Sequence, residues 1–150
     1  MKATLIRIVS RIHSFIYEAS GGRIGSVHGG LRFLILTTTG VKSGKKRRVP
    51  LAAVPYGEGY LVVASFGGSS IDPFWLINIR HDPFVDVRVG RIVTRAKASI
   101  IESSDYMYED MWSKAVSVYN GFNEYKKATT RNIPIVVLRK VEVSECAMGA

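Results

Sequence analysis

Residues 40–48 read Gly-Val-Lys-Ser-Gly-Lys-Lys-Arg-Arg, a run that interleaves glycine with cations. Glycine lets backbone N–H groups approach an anion closely, and Lys42 and Arg47 can add charge-assisted hydrogen bonds. Such a loop suits a phosphate or a carboxylate. It also suits a plain solvated turn between strands, and taken alone it does not decide between the two. The pattern fails the nucleoside-triphosphate loop, because the glycine spacing is one residue short and no Ser or Thr follows the lysine. No dinucleotide G-x-G-x-x-G follows a strand either.

Two further stretches could meet a bound ring. Ala64-Ser65-Phe66-Gly67-Gly68-Ser69 offers small residues just after a strand, where free N–H groups could face ring carbonyls. Tyr119, Phe122 and Tyr125 fall at i, i+3 and i+6 around Asn120-Gly121, and could form an aromatic wall or simple core packing. Other chemistries find no support. His13, His28 and His81 lie outside any HxxxH or HExxH pattern, and Cys146 is the single cysteine, so no metal site and no internal disulfide are expected. The 12 acidic residues form no catalytic pair and no G-x-S-x-G elbow is present, which argues against a side-chain hydrolase.

The elements that must position these residues follow from periodicity. Leu5, Ile8, Val9, Ile12, Phe15, Ile16 and Ala19 recur at helical spacing, giving an amphipathic helix within residues 1–22 that ends at Gly21-Gly22. It packs on its own domain or lies on a membrane surface through residues 2–19. A loop at Ser26–Gly30 leads into a buried strand over Arg32–Thr38. A second strand is expected over Arg48–Tyr56, with Pro50 and Pro55 marking an edge or bulge. A third covers Tyr60–Ser65. Asp72 should cap a short helix over Pro73–Arg80. Phe84–Val89 and Ile92–Ile101 form a hairpin, a helix starts at Ser104 or Asp105 and runs to about Tyr119, and a last strand covers Pro134–Val143. Residues 144–150 read as a flexible tail. Short connections imply mostly antiparallel pairing. The expected fold is α+β, a small barrel of about six strands with peripheral helices, in one domain spanning 1–150.

In order and spacing these pieces resemble the deazaflavin-dependent nitroreductase family, whose members use coenzyme F420, within the split β-barrel flavin/deazaflavin oxidoreductases. The resemblance rests on Leu36–Gly44, Arg47–Leu51, Val63–Gly68, Pro73–Pro83 and Arg131–Leu138. It implies a split β-barrel in which Lys42, Ser43, Gly44 and Arg47 hold the phosphate and acidic tail of the cofactor. It implies that Pro50, Val63, Ala64, Ser65, Gly67 and Gly68 line the deazaflavin ring and its linker, with Trp75 and Asn78 in the same groove. It implies that Tyr119, Phe122, Tyr125 and Ala52 contact substrate; Tyr125, beside Tyr119, or water could then protonate the product. Phe66 stands where the family often has a basic residue, a loss that Lys45, Lys46 and Arg48 could compensate. Phe122 and Ala52 stand where some active nitroreductases have tyrosine and an aromatic.

The implied activity is hydride transfer from reduced F420 to a quinone, a nitroaromatic or another conjugated acceptor. FMN is the less favoured cofactor. The alternatives are a barrel that carries or stores FMN, haem or F420 without turnover and, more remotely, a nucleic-acid module. The formal charge of +9 fits any anionic partner. No nucleic-acid partner is expected, since an aromatic-interleaved basic strand is lacking. A cytoplasmic monomer or homodimer, peripheral on the membrane if the N-terminal helix binds lipid, is the expected state.

Overall fold

The computed structural model describes residues 4–8, 12, 27–28 and 31–142. The expected tail at 144–150 and most of the N-terminal helix lie outside the described residues; residues 4–8 and 12 are helical. Eight strands form one sheet. They are β1 (Val27–His28), β2 (Leu31–Thr39), β3 (Lys46–Ala52), β4 (Val54–Tyr56), β5 (Gly59–Val63), β6 (Phe84–Val89), β7 (Ile92–Ile101) and β8 (Ile135–Lys140). Besides the helical residues 4–8 and 12, three helices lie among the described residues: α1 (Phe74–His81), α2 (Tyr108–Val118) and α3 (Gly121–Lys127).

The order is β1-β2-β6-β7-β8-β5-β4, with β3 also paired to β2, and every pairing is antiparallel. β3 and β4 lie at opposite ends of this order yet are separated in the chain only by Ala53. The sheet must therefore curl until its ends meet, which makes a split barrel. The Ala53 amide bonds the Arg32 carbonyl at 2.9 Å and fixes the corner.

Alternation along β5 and β8 separates two cores. Val62, Ala64, Val136 and Leu138 point into the barrel, where α1 adds Trp75, Leu76 and Ile79. Leu61, Val63, Ile135 and Val137 point outward to α2 and α3. Burial on both faces explains why β8 reads as a continuous apolar run. α2 packs through Tyr108, Met111, Trp112 and Ala115, a stripe at i, i+3, i+4 and i+7. Tyr108 donates to the Ile133 carbonyl at 2.6 Å, and burial pushes its hydroxyl up to about 12.

Several expectations change. The Ser26–Gly30 loop contains β1, paired with Leu31 and Arg32. The strand expected over Arg48–Tyr56 is two strands broken at Ala53, so the count rises from about six to eight. Asp72 does not cap α1. Pro73 occupies the cap position, and the Asp72 carboxylate is drawn off by Arg131 at 3.3 Å and Arg80 at 3.8 Å. α2 starts at Tyr108 instead of Ser104 or Asp105, because the Asp105 carboxylate takes the Met107 amide and forms a turn first. α2 ends at Val118, before Asn120-Gly121, and a separate helix, α3, begins at Gly121.

Candidate cofactor groove and its family

The basic run divides into a turn and a strand. Lys46, Arg47 and Arg48 belong to β3, whose register sets Arg47 opposite Thr38 and Arg48 opposite Thr37. The turn is closed by the Gly40 amide on the Lys45 carbonyl (2.8 Å) and the Gly44 amide on the Gly40 carbonyl (2.9 Å). Gly44 has φ +67°, a conformation that favours glycine. Ser43 Oγ accepts the Lys45 amide at 3.2 Å, so it braces the turn from within. A side chain at Gly40 would lie 2.8 Å from that oxygen. Asn78, 7% exposed on α1, donates to Thr38 Oγ1 at 3.0 Å and accepts the Val41 amide at 3.4 Å. It ties the turn to the barrel's capping helix, and Trp75 on the same helix lies in the inner core.

Lys42 and Arg47 are exposed at this turn, and Arg47 Nε comes 3.7 Å from where a Gly40 Cβ would stand. Strand alternation sends Lys46 and Arg48 to the other face. There they line a separate cavity of about 290 Å³ with Ile35, Thr37, Asp86, Arg88 and Val93. Lys46 and Arg48 therefore do not share the face of Arg47, contrary to the compensation expected for Phe66.

The second segment, after β5, makes a left-handed passage. Phe66, Gly67 and Gly68 have φ of +44°, +61° and +78°. A non-glycine residue there costs about 1–3 kcal/mol. Arg131 holds the passage in place, with its side chain only 13% exposed. It donates from Nη2 to the carbonyls of Ala64 (3.0 Å) and Ser65 (2.9 Å), and from Nε to that of Ser69 (2.9 Å). Burial lowers its pKa, and Asp72 opposes that shift. The sequence motifs give no role to Arg131. Its partners are mostly backbone carbonyls, which no side-chain pattern announces.

The aromatic wall does assemble. The Tyr119 and Phe122 rings meet edge to face at 5.1 Å, and the Tyr119 and Tyr125 hydroxyls lie 3.2 Å apart. That hydrogen bond, then burial, pushes the Tyr125 hydroxyl up to about 12. Phe122 is 4% exposed and also meets Trp112, so it backs the two tyrosines. Ala52 and Val63 belong to the same packed cluster. The Tyr119 ring lies directly on Gly121, where any side chain would collide with it. Gly68 joins the left-handed passage to this wall. Its Cβ position would be 2.9 Å from Ala128 Cβ and 3.2 Å from the Tyr125 carbonyl.

The described part of the N-terminal helix lies over the same region. Ile6 Cδ1 comes 3.1 Å from the Cβ position of Gly67, and the Arg7 guanidinium sits 4.4 Å over the Phe74 ring. Leu5, Ile8 and Ile12, expected either to pack on the domain or to lie on a membrane surface, are 63%, 51% and 56% exposed.

A family model described as F420H(2)-dependent quinone reductase matches residues 9–140. The chain belongs to the F420H(2)-dependent quinone reductase family. The F420H(2)-dependent quinone reductase Rv1261c of Mycobacterium tuberculosis is 34% identical over 132 residues, covering 87% of this chain and 89% of that protein. A solved F420-H2 dependent reductase, FDR-A, is 38% identical with a TM-score of 0.64, over 71% of this chain and 93% of that one. A domain-swapped dimer is 32% identical with a TM-score of 0.66, over 86% of this chain and 94% of that one. Membership in this family makes the chain an oxidoreductase dependent on F420H2, and the split barrel is the fold it shares with FDR-A.

The residues present fit an F420 cofactor. An anionic tail requires accessible cations, which Lys42 and Arg47 supply at the Gly40–Lys45 turn. A planar ring needs backbone that projects no side chain, and Gly67 and Gly68 are such residues, with Gly68 packed on the Tyr125 backbone. Among the described residues no helix is long and apolar enough to cross a membrane.

Proposed function

We propose that this F420H2-dependent oxidoreductase reduces a quinone in a groove running from the Gly40–Arg47 turn to the Tyr119–Tyr125 pair. The observation that carries this reading is the packing of Gly68 on the backbone of Tyr125, which sets the proposed ring loop against the proposed acceptor wall. Bound reduced F420 supplies a hydride. Lys42, Ser43, Gly44 and Arg47 would hold its phosphate and tail, while the amides at the start of the Ser65–Gly68 segment would hydrogen-bond the ring and stabilise negative charge there. Pro50 would line the slot, Val63 and Ala64 back it from the two cores, and Trp75 and Asn78 support its floor. Reduction of a quinone to the hydroquinone takes one hydride and one proton. The Tyr125 hydroxyl, protonated at neutral pH with its pKa near 12, gives that proton and is reprotonated through Tyr119 or water.

The test is absorbance and fluorescence titration of the purified protein with F420, FMN and haem. Micromolar binding of F420 alone supports the reading, and exclusive binding of haem or FMN rejects it.

The exposed stripe of Leu5, Ile8 and Ile12 beside the ring loop favours a peripheral membrane contact that delivers a lipid-soluble quinone. Deleting the residues before Gly21 should abolish sedimentation with liposomes, and equal sedimentation of the truncated protein would reject the contact. Nitroaromatics are the weaker class of acceptor in this reading, because Ala52 and Phe122 supply neither a second ring nor a third hydroxyl. A homodimer, as in the domain-swapped relative, is the assembly that light scattering should find.

A further inference from the structure

All five N–H donors of the Arg131 guanidinium are engaged. Besides the Ala64, Ser65 and Ser69 carbonyls, Nη1 reaches Asp72 Oδ1 and the Asn132 carbonyl, both at 3.3 Å. Three of the five acceptors therefore belong to one six-residue segment, and they lie 62 to 67 positions away in the chain.

The planar trans peptide gives this clamp a directional consequence. In each peptide unit the carbonyl and the following N–H point in opposite directions. Drawing the Ala64 and Ser65 carbonyls onto Arg131 therefore turns the amides of Ser65 and Phe66 away from it. Neither amide finds a backbone acceptor among the described residues, whereas the next two amides of the segment that are bonded, Gly68 and Ser69, close onto Ser65 and Phe66 carbonyls. Two adjacent donors are thus held without a backbone partner among the described residues, aimed to one side by a largely enclosed, fully coordinated cation. Phe66 stays in its left-handed conformation within the same clamp.

We propose that Arg131 is the positioning residue of the ring site: it presets the Ser65 and Phe66 amides as a donor pair for the carbonyl edge of the deazaflavin ring. This rests on the assignment of that loop to the ring. Arg131 touches neither cofactor nor acceptor and acts through the loop. A lysine cannot replace it, because an ammonium has three donors and no planar fork. The Asp72 pair is secondary, since it fixes one edge of the guanidinium and none of the loop carbonyls.

The test compares wild type, Arg131→Lys and Asp72→Asn, with Arg131→Gln as a second variant should the lysine form fail to fold. Amide hydrogen exchange of the free protein is measured first. Affinity is then measured by fluorescence for F420 and for the deazaflavin that lacks phosphate and tail. Arg131→Lys should speed exchange selectively at the segment around residues 65–69. It should also weaken both cofactor forms alike, by at least tenfold, and alter the absorbance of the bound ring. Asp72→Asn should stay within about threefold of wild type, the range expected when a charged acceptor is replaced by a neutral one. Unchanged affinity and exchange in Arg131→Lys would overturn the proposal. So would a loss confined to the tailed cofactor, which would move Arg131 to tail binding, or a uniform rise in exchange across the barrel, which would make it merely structural. If wild type binds neither form, the functional reading fails instead, and the exchange comparison still decides whether Arg131 orders the loop.

Discussion

The two loops proposed to hold the cofactor are stabilised in opposite ways. The Gly40–Lys45 turn closes on its own backbone, with Ser43 inside it and Asn78 beneath it, and presents its cations to solvent. The Ala64–Ser69 passage is left-handed at Phe66–Gly68, carries no cation of its own, and is held by a largely enclosed arginine from far along the chain. A tail that only needs charge tolerates an adaptable, exposed site. A ring from which a hydride must leave in one direction needs donors fixed before it binds.

The largest expected effect comes from disturbing the rigid loop where it meets the wall. Gly68→Ala puts a methyl group at φ +78° and 2.9 Å from Ala128 Cβ, so either the loop or Tyr125 must shift. A displacement near 1 Å costs on the order of 100-fold in turnover. Steady-state quinone reduction should show that loss, and Ala128→Gly should recover only part of it, because the Tyr125 carbonyl at 3.2 Å still crowds the site. Full recovery would mean that Ala128 alone sets the spacing.

The turn should respond differently. Lys42→Ala with Arg47→Ala should weaken F420 at least tenfold, given about 1.5–3 kcal/mol per charged hydrogen bond. The loss should shrink at high salt and vanish for the tail-free deazaflavin. Turnover at saturating cofactor should change little. An equal loss for both cofactor forms would erase the distinction between the loops.

The smallest effect at neutral pH should come from Tyr119→Phe. The Tyr119 hydrogen bond is the first cause of the rise in the Tyr125 pKa from 10.0 to about 12. Tyr125 donates only while protonated, so wild-type activity should fall as pH climbs toward 12. The variant should begin to fall nearer 10. Coincident alkaline limbs would remove Tyr125 from proton transfer. Stability follows the same sign for Tyr108, whose folded pKa is also raised from 10.0 to about 12. Its contribution is fully present below pH 10 and is lost between 10 and 12.

What the sequence reveals follows the same division. The apolar run of β2, the Gly90 hairpin and the glycines of both loops are local signals, and all are legible. Barrel closure at Ala53 is not, because it depends on strand partners far apart in the chain. β1 is too short to show a period. α3 opens on Gly121, a poor helix former, because the Tyr119 ring needs that position free of a side chain. The outward turn of Lys46 and Arg48 would follow from two-residue alternation, had β3 been extended back to Lys46. The role of Arg131 stays hidden, although the residue opens a stretch that carries the resemblance, because a cation coordinated by backbone carbonyls leaves no motif.

The most direct measurement is anaerobic oxidation of F420H2 by a soluble quinone, followed by the return of oxidised F420 absorbance. Wild type is compared with the Lys42→Ala, Arg47→Ala double variant at limiting and saturating cofactor. The groove described here predicts turnover by wild type, with the variant impaired at limiting cofactor and restored at saturation. Absence of quinone-dependent oxidation in wild type, or a variant equal to wild type at limiting cofactor, would contradict it.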